Sequence, residues 1–298
     1  MNTTVQNTFP WRAVLALLGA MLALAVGTSL AKQLFPVIGA EGTTLLRVGF
    51  SALVMLQIWR PWRRPLARQD AWHIARYGAA LALMNLLFYM ALRTIPFGIA
   101  VAIEFCGPLA VAVYSSRQRL DLVWVGLAIA GLLMLLPLPS SPAAALDPVG
   151  VLYAVGAAIC WAAYIIYGRR TRHLHTGQVL SLGVTVGALV IAPVGLGHAG
   201  ATLFTPEVLG LGLVVALISS ATPTFLEMKA LRQLRPETYG VMTSLEPAIA
   251  AVVAFVALDE HLTALQWGAI GCTMLAAMGS ALTANRGPAP VPPEAHDT

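Results

Sequence analysis

The sequence predicts an all-α integral membrane protein, with ten transmembrane helices arranged as two inverted five-helix repeats. Three observations carry that expectation. Of 298 residues, 58% are apolar and only 10% are charged, with a mean hydropathy of +0.77. A soluble domain carries about 25% charged residues, so the charges here are too few to clothe a water-facing surface. The apolar residues fall into runs near the roughly 20 residues that a bilayer core requires. Short sequence echoes recur between the two halves at a nearly constant offset.

The runs lie at about 12–31, 42–59, 74–93, 97–115, 121–138, 149–168, 177–195, 207–231, 238–257 and 263–284. The first begins after a polar start and Arg12, which resembles a signal peptide. It continues to Leu30 and many spans follow, so it reads as an uncleaved first helix. Proline and charge clusters separate the runs, among them Phe35-Pro36, Arg60 to Pro65, Pro96, Pro139 to Pro142 and Asp259-Glu260-His261. Backbone amides in hydrocarbon must bond internally, so such runs are helices. No alternation of period two points to a β-barrel. The expected units are 11–138, 149–284 and a Pro-rich cytoplasmic tail at 285–298, too polar to fold.

Basic residues set the orientation. With the N-terminus in the cytoplasm, that side holds Arg12, Arg60, Arg63, Arg64, Arg68, Arg76, Arg117, Arg119, Arg169, Arg170, Arg172, Lys229, Arg232, Arg235 and Arg286. The other side holds Lys32 and Arg93, and Arg47 lies within a helix. This positive-inside bias puts both termini in the cytoplasm and calls for an even number of spans. Trp11, Trp59, Trp62 and Trp72 mark the same interface. The net charge of +5 is spread over short loops, which excludes a nucleic-acid surface.

Ala91-Leu92-Arg93 returns as Ala230-Leu231-Arg232, and Pro108 as Pro247, both at an offset of 139; Gly19-Ala20 returns as Gly156-Ala157 at 137. Five helices are an odd number, so the second set inserts upside down relative to the first. Inverted repeats are the architecture of many secondary transporters, with the substrate site at mid-membrane between the halves.

Ionisable groups inside spans are costly and mark functional positions. Four stand out. Glu104 lies mid-run, three residues before Gly107-Pro108, and Glu246 directly precedes Pro247 in the corresponding run. Each proline removes a helical hydrogen bond beside a carboxylate, which suggests a polar mid-membrane site formed by two interrupted helices. Such an acid could carry a proton, hold a substrate ammonium, or be a structural carboxylate bonded to Thr243 or Ser244. Arg47, read as about one turn inside the outer end of the second run, could attract a substrate carboxylate, pair with a glutamate or snorkel to the headgroups. Glu227, near Lys229, reads as a gate or interface residue, and Lys32 as a snorkelling or gate residue. Trp161 and Tyr164 share a helix face, and Phe88, Tyr89 and Phe105 could wall the same pocket. Asn85 and Thr224 match at offset 139 and could add hydrogen bonds, while Gly183 and Gly187 have the spacing of close helix packing.

Nothing suggests a metal or cofactor. Cys106, Cys160 and Cys272 sit in apolar runs without ligand spacing, and no HExxH, GxSxG or GxxxxGK[ST] motif occurs. The expected partners are a small-molecule substrate, protons and the lipid bilayer, with homodimerisation open.

Several stretches resemble the EamA-like branch of the drug/metabolite transporter superfamily, in particular bacterial inner-membrane threonine/homoserine exporters. They are Ser29 to Lys32 with Leu34-Phe35-Pro36, Pro96 to Ala112, Ser115-Ser116-Arg117, Cys160-Trp161-Ala162, Leu226-Glu227-Met228, Glu246-Pro247-Ala248 and Ala277 to Ser280. The resemblance runs from about residue 11 to 284 and implies export of amino acids from the cytoplasm in exchange for protons. The rival readings are an exporter of aromatic or cationic drug-like compounds, a membrane enzyme acting on lipid-linked intermediates, and a non-transporting sensor.

Overall fold

The computed structural model describes residues 11–115, 121–134, 146–231, 233–234 and 236–283. The described residues are helical, without strands. The order is α1 (Trp11–Lys32), α2 (Phe35–Trp59), α3 (Arg68–Ala91), α4 (Phe97–Glu104), α5 (Cys106–Ser115), α6 (Asp121–Met134), α7 (Pro148–Arg170), α8 (Thr176–Ala199), α9 (Pro206–Ala216), α10 (Thr222–Leu231), α11 (Pro236–Thr243), α12 (Glu246–Leu258) and α13 (Ala264–Thr283). Eight helical stretches are long and apolar enough to cross a bilayer, and Phe97–Val111 and Leu122–Gly131 are shorter apolar helices. The 285–298 tail, the Pro139 to Pro142 break, and Arg117, Arg119, Arg232, Arg235 and Arg286 lie outside the described residues.

Local chemistry sets the helix ends. Proline opens α2, α7 and α9 within the first two positions, where its missing N–H costs nothing. Asp147 caps α7, accepting from Val149 N and Gly150 N at 3.2 Å each. The Thr94 hydroxyl and these two amides hold its carboxyl below the usual carboxylate range. Gly200 ends α8 at φ +56°.

One expectation needs correction, the start of the second helix and with it the depth of Arg47. The second helix begins at Phe35, not near residue 42, because Phe35-Pro36 starts a helix instead of breaking one. Gly39 (φ +70°) kinks its first turn, and the Thr43 hydroxyl bonds the Gly39 carbonyl at 2.7 Å. Arg47 therefore lies twelve residues from the helix start and eight residues, about 12 Å, beyond the Gly39 kink, more than one turn in. The runs at 97–115 and 238–257 are each two helices, broken at Phe105 and at Ser244-Leu245. Proline explains both breaks. Pro108 has no N–H for the carbonyl of Glu104, and Pro247 has none for that of Thr243. Glu104 and Thr243 are the last residues of α4 and α11, 139 residues apart.

The most extensive packing joins α2 to α8, α3 to α7, α6 to α13, α3 to α8 and α1 to α10. Small residues make it close. A Cβ on Gly78 would stand 2.3 Å from the Gly183 carbonyl oxygen, and one on Gly107 would stand 2.1 Å from that of Ala158. Gly107 thus lets α5 lie on α7, and any side chain there overpacks the contact. We predict that Gly107→Ala lowers stability by at least ~1–3 kcal/mol, read as a lower Tm in detergent. Gly126→Ala, with nothing within 4 Å of its new Cβ, should leave Tm within a degree or two.

Candidate functional site

A cavity of about 410 Å³ lies where the broken helices meet α1, α2, α3 and α7. α1 supplies Leu17, Met21, Leu24, Ala25 and Thr28; α3 supplies Met84, Asn85 and Phe88; α7 supplies Trp161, Tyr164 and Ile165. Its ionisable groups are Arg47 from α2, Glu104 from the end of α4, Glu227 from α10 and Glu246 from the start of α12. Phe97, Val101, Phe105 and Pro108 around the first break, and Tyr239, Thr243 and Ala250 around the second, complete the wall.

Arg47 is only 9% exposed. Its Nη2 donates to the Ser219 carbonyl at 3.2 Å, and its Nε to the Ser220 hydroxyl at 3.3 Å. Its guanidinium carbon lies 5.2 Å from the Tyr89 ring centroid, a cation–π distance. These contacts rule out snorkelling. Among the described residues no carboxylate lies within ion-pair distance of it. Glu104 is 7% exposed and feels the charges of Glu246 and Arg47, yet no described hydrogen bond reaches its carboxyl. The structural alternative for Glu246 also fails, because the Thr243 and Ser244 hydroxyls bond the Gly240 and Val241 carbonyls of their own helix. A buried guanidinium and a buried carboxylate thus share one cavity without pairing, and isolated charges out of water are expensive.

The aromatic residues divide. Trp161 meets Phe105 edge-on, with centroids 5.1 Å apart, and both face the cavity. Tyr164 lines it too, and its hydroxyl bonds that of Tyr77 at 3.0 Å. Tyr89 does not line it; it is fully buried beneath Arg47. Its neighbour Phe88 faces the cavity instead, because successive helix residues point about 100° apart. Asn85 donates Nδ2 to the Leu81 carbonyl at 2.8 Å and lies on the cavity wall. Gly107 and Pro247 shape helices and line nothing.

Lys32 lies away from the cavity and forms an ion pair with Glu260. The other Glu260 oxygen accepts from Phe97 N at 2.8 Å, at the start of α4. Nearby, Glu41 of α2 meets Arg93 at 3.5 Å and His198 of α8 at 3.7 Å. Sequence reasoning passed over Glu41 and Glu260. Glu260 sits in an ordinary turn cluster, 228 residues from Lys32. Glu41 stands one residue before the apolar run at 42–59, where no local signal marks it as part of a span.

A model of the EamA-like transporter family matches residues 148–282. The threonine/homoserine exporter RhtA of Escherichia coli (strain K12) is 44% identical over 276 residues, covering 93% of each chain. That of Salmonella typhimurium (strain LT2) is 43% identical over 278 residues, covering 93% of this chain and 94% of its own. This chain belongs to the EamA-like transporter family. It is therefore a multi-pass membrane transporter and not an enzyme. The uncharacterized transporter YwfM of Bacillus subtilis (strain 168) is 27% identical over 246 residues, covering 79% of this chain and 81% of its own. A solved crystal structure superposes with a TM-score of 0.61 over 92% of this chain and 98% of its own, at 17% identity. That likeness shows a fold shared over nearly the whole chain.

The unpaired and paired acids should respond oppositely to neutralisation. Glu104→Gln removes a buried charge that nothing bonds, so Tm should hold or rise. Glu260→Gln loses the Lys32 pair and weakens the Phe97 bond, so stability should fall by about 1–3 kcal/mol. Thermal unfolding of the two purified variants beside wild type checks both signs.

Proposed function

We propose that this chain is an inner-membrane secondary exporter of small zwitterionic amino acids, threonine and homoserine first. It exchanges them for protons by alternating access, with both termini in the cytoplasm. The observation that carries the reading is a buried guanidinium and a buried carboxyl that line one cavity without pairing. The carboxylate of a zwitterion suits Arg47, because guanidinium–carboxylate pairs can be bidentate. Its ammonium suits Glu104, which sits at the C-terminal, negative end of α4. A volume of about 410 Å³ is in the range of small-molecule sites. Trp161, Tyr164, Phe105 and Asn85 wall the cargo, and Glu246 and Glu227 complete the acidic set. The relatives named threonine/homoserine exporters support the choice of cargo.

The charge balance of the cavity supports proton exchange. Three carboxylates face one guanidinium, and a zwitterion adds no net charge. The excess acid in a low-dielectric cavity needs protons, and cargo ammonium and proton compete for Glu104.

The packing supports ten spans in two inverted halves. Exchanging first-half and second-half helices maps the α3–α7 contact onto α10–α1 and returns α2–α8 to itself. The two helix breaks obey the same exchange. Alternating access then needs a closure on each side. Lys32–Glu260 and Glu41–Arg93–His198 lie at the outer helix ends in this topology and join the halves there.

Proteoliposomes loaded with labelled threonine test the reading. Efflux should rise when the receiving side is made more acidic, and Glu104→Gln should reduce it at least tenfold. Equal efflux with and without the gradient removes the coupling, and a wild-type rate for Glu104→Gln removes that residue. In a background lacking Cys106, Cys160 and Cys272, cross-linking Lys32→Cys to Glu260→Cys should stop flux reversibly; undiminished flux removes the closure. The acid excess also favours a second reading, export of aromatic or cationic compounds. Cationic amines that block threonine efflux at lower concentration than homoserine would favour it.

A further inference from the structure

The helix that Arg47 binds is irregular at the point of contact. Between α9 and α10 the chain makes a π-helical turn over Leu217–Ala221, and Thr222 N donates to Leu217 O, five residues back. Such one-residue insertions widen the helix and are frequent at functional sites. Pro223 follows two residues later. It has no N–H to give the carbonyl four residues back, which is that of Ser219. In hydrocarbon such a carbonyl needs another donor, and here the donor is Arg47 Nη2 at 3.2 Å.

The neighbours fix this carbonyl in place. The Ser219 hydroxyl bonds the Val215 carbonyl at 2.7 Å. A Cβ on Gly27 of α1 would stand 2.6 Å from both Ser219 N and Ser219 Cβ, so α1 lies directly on the turn. The Ser220 hydroxyl takes Arg47 Nε at 3.3 Å, and Tyr89 backs the guanidinium plane.

We infer that the π-turn, through the Ser219 carbonyl and the Ser220 hydroxyl, is a positioning device that orients Arg47 for the cargo carboxylate. The geometry selects one edge of the guanidinium. The two serine contacts use Nε and Nη2, the side edge. The terminal Nη1–Nη2 edge remains for a bidentate carboxylate. Neither serine lines the cavity, so Ser220 acts through Arg47 and not on cargo. A free arginine side chain would lose rotamer freedom on binding cargo; held this way, it has already lost it. The inference rests on the carboxylate role proposed for Arg47.

The test is a double-mutant cycle on threonine efflux in proteoliposomes. Ser220→Ala should raise the apparent KM about tenfold and change maximal flux less than twofold, while Ser220→Thr, which keeps the hydroxyl, should stay near wild type. Pro223→Ala, which returns an N–H to compete for the Ser219 carbonyl, should raise KM in the same sense. In an Arg47→Lys background, Ser220→Ala should have no further effect, because the lysine has no Nε–Nη2 edge to orient. Additive effects, or an unchanged KM in Ser220→Ala, would overturn the inference. If Arg47→Lys itself leaves KM unchanged, the carboxylate role fails first, which separates the two failures. A readout independent of cargo is phenylglyoxal modification mapped by mass spectrometry. Arg47 should react several-fold faster in Ser220→Ala than in wild type, and Arg12 equally in both; equal rates at Arg47 would show that Ser220 does not hold it.

Discussion

A backbone carbonyl in hydrocarbon has no water to turn to, and each proline inside a span takes away the donor its helix would have supplied. Three prolines do this around the cavity. Pro108 releases the carbonyl of Glu104, Pro223 that of Ser219 and Pro247 that of Thr243. At the first and third positions the helix ends, and at the second it passes through a π-turn and recruits Arg47. Pro193, inside α8, also removes a donor, but α8 contributes nothing to the cavity wall. The polar centre of this apolar protein is thus built first by interrupting the backbone and then by placing charged side chains at the interruptions.

Much of this was legible in the sequence because charge and proline are conspicuous in apolar runs. Glu104, Glu246 and Arg47 stood out for that reason, and all three face one cavity. The membrane class and the helical content followed from composition and run length. What escaped was set by three-dimensional pairing or by helix phase. Nothing local to Lys32 announces Glu260, 228 residues away. Tyr89 could not be told from Phe88 until the face of α3 was fixed. The depth of Arg47 was misjudged through a single ambiguous signal, since Phe35-Pro36 can end one helix or begin the next. The π-turn left a trace in Ser219-Ser220 and Pro223, but a serine pair in a span more often bonds its own helix, as Ser219 Oγ does here.

Small residues make the interruptions affordable. Gly107 brings the backbone of α5 against Ala158 of α7, Gly27 brings α1 onto Ser219, and Gly98 brings α4 against Ala251 of α12, where a Cβ would stand 2.6 Å from its methyl carbon. Without an aqueous hydrophobic effect between helices, close backbone approach is the main source of their attraction. Each of these contacts lies on a helix that also carries a cavity residue: Thr28 on α1, Glu104 on α4, Trp161 on α7 and Glu246 on α12. The tight packing sets the broken segments directly against their neighbours around the cavity.

The scaffold and its chemistry have different symmetry. At an offset of 139 the helix breaks coincide, Pro108 matches Pro247, and Glu104 matches Thr243, a hydroxyl that bonds its own helix. Glu246 matches Gly107, whose lack of a side chain is needed for the contact with α7. One half therefore has its acid before the break and the other has it after. Glu104 consequently sits at the C-terminal end of a half-helix, and Glu246 at the N-terminal end of another. The dipoles at these ends have opposite sign, so two residues of the same type meet different fields. Under the alternating access proposed above, equivalent halves would serve the reversal of the opening. Under the zwitterionic cargo proposed with it, a pocket whose two ends differ would serve binding, and acids shifted across the helix breaks would meet the second need without disturbing the first.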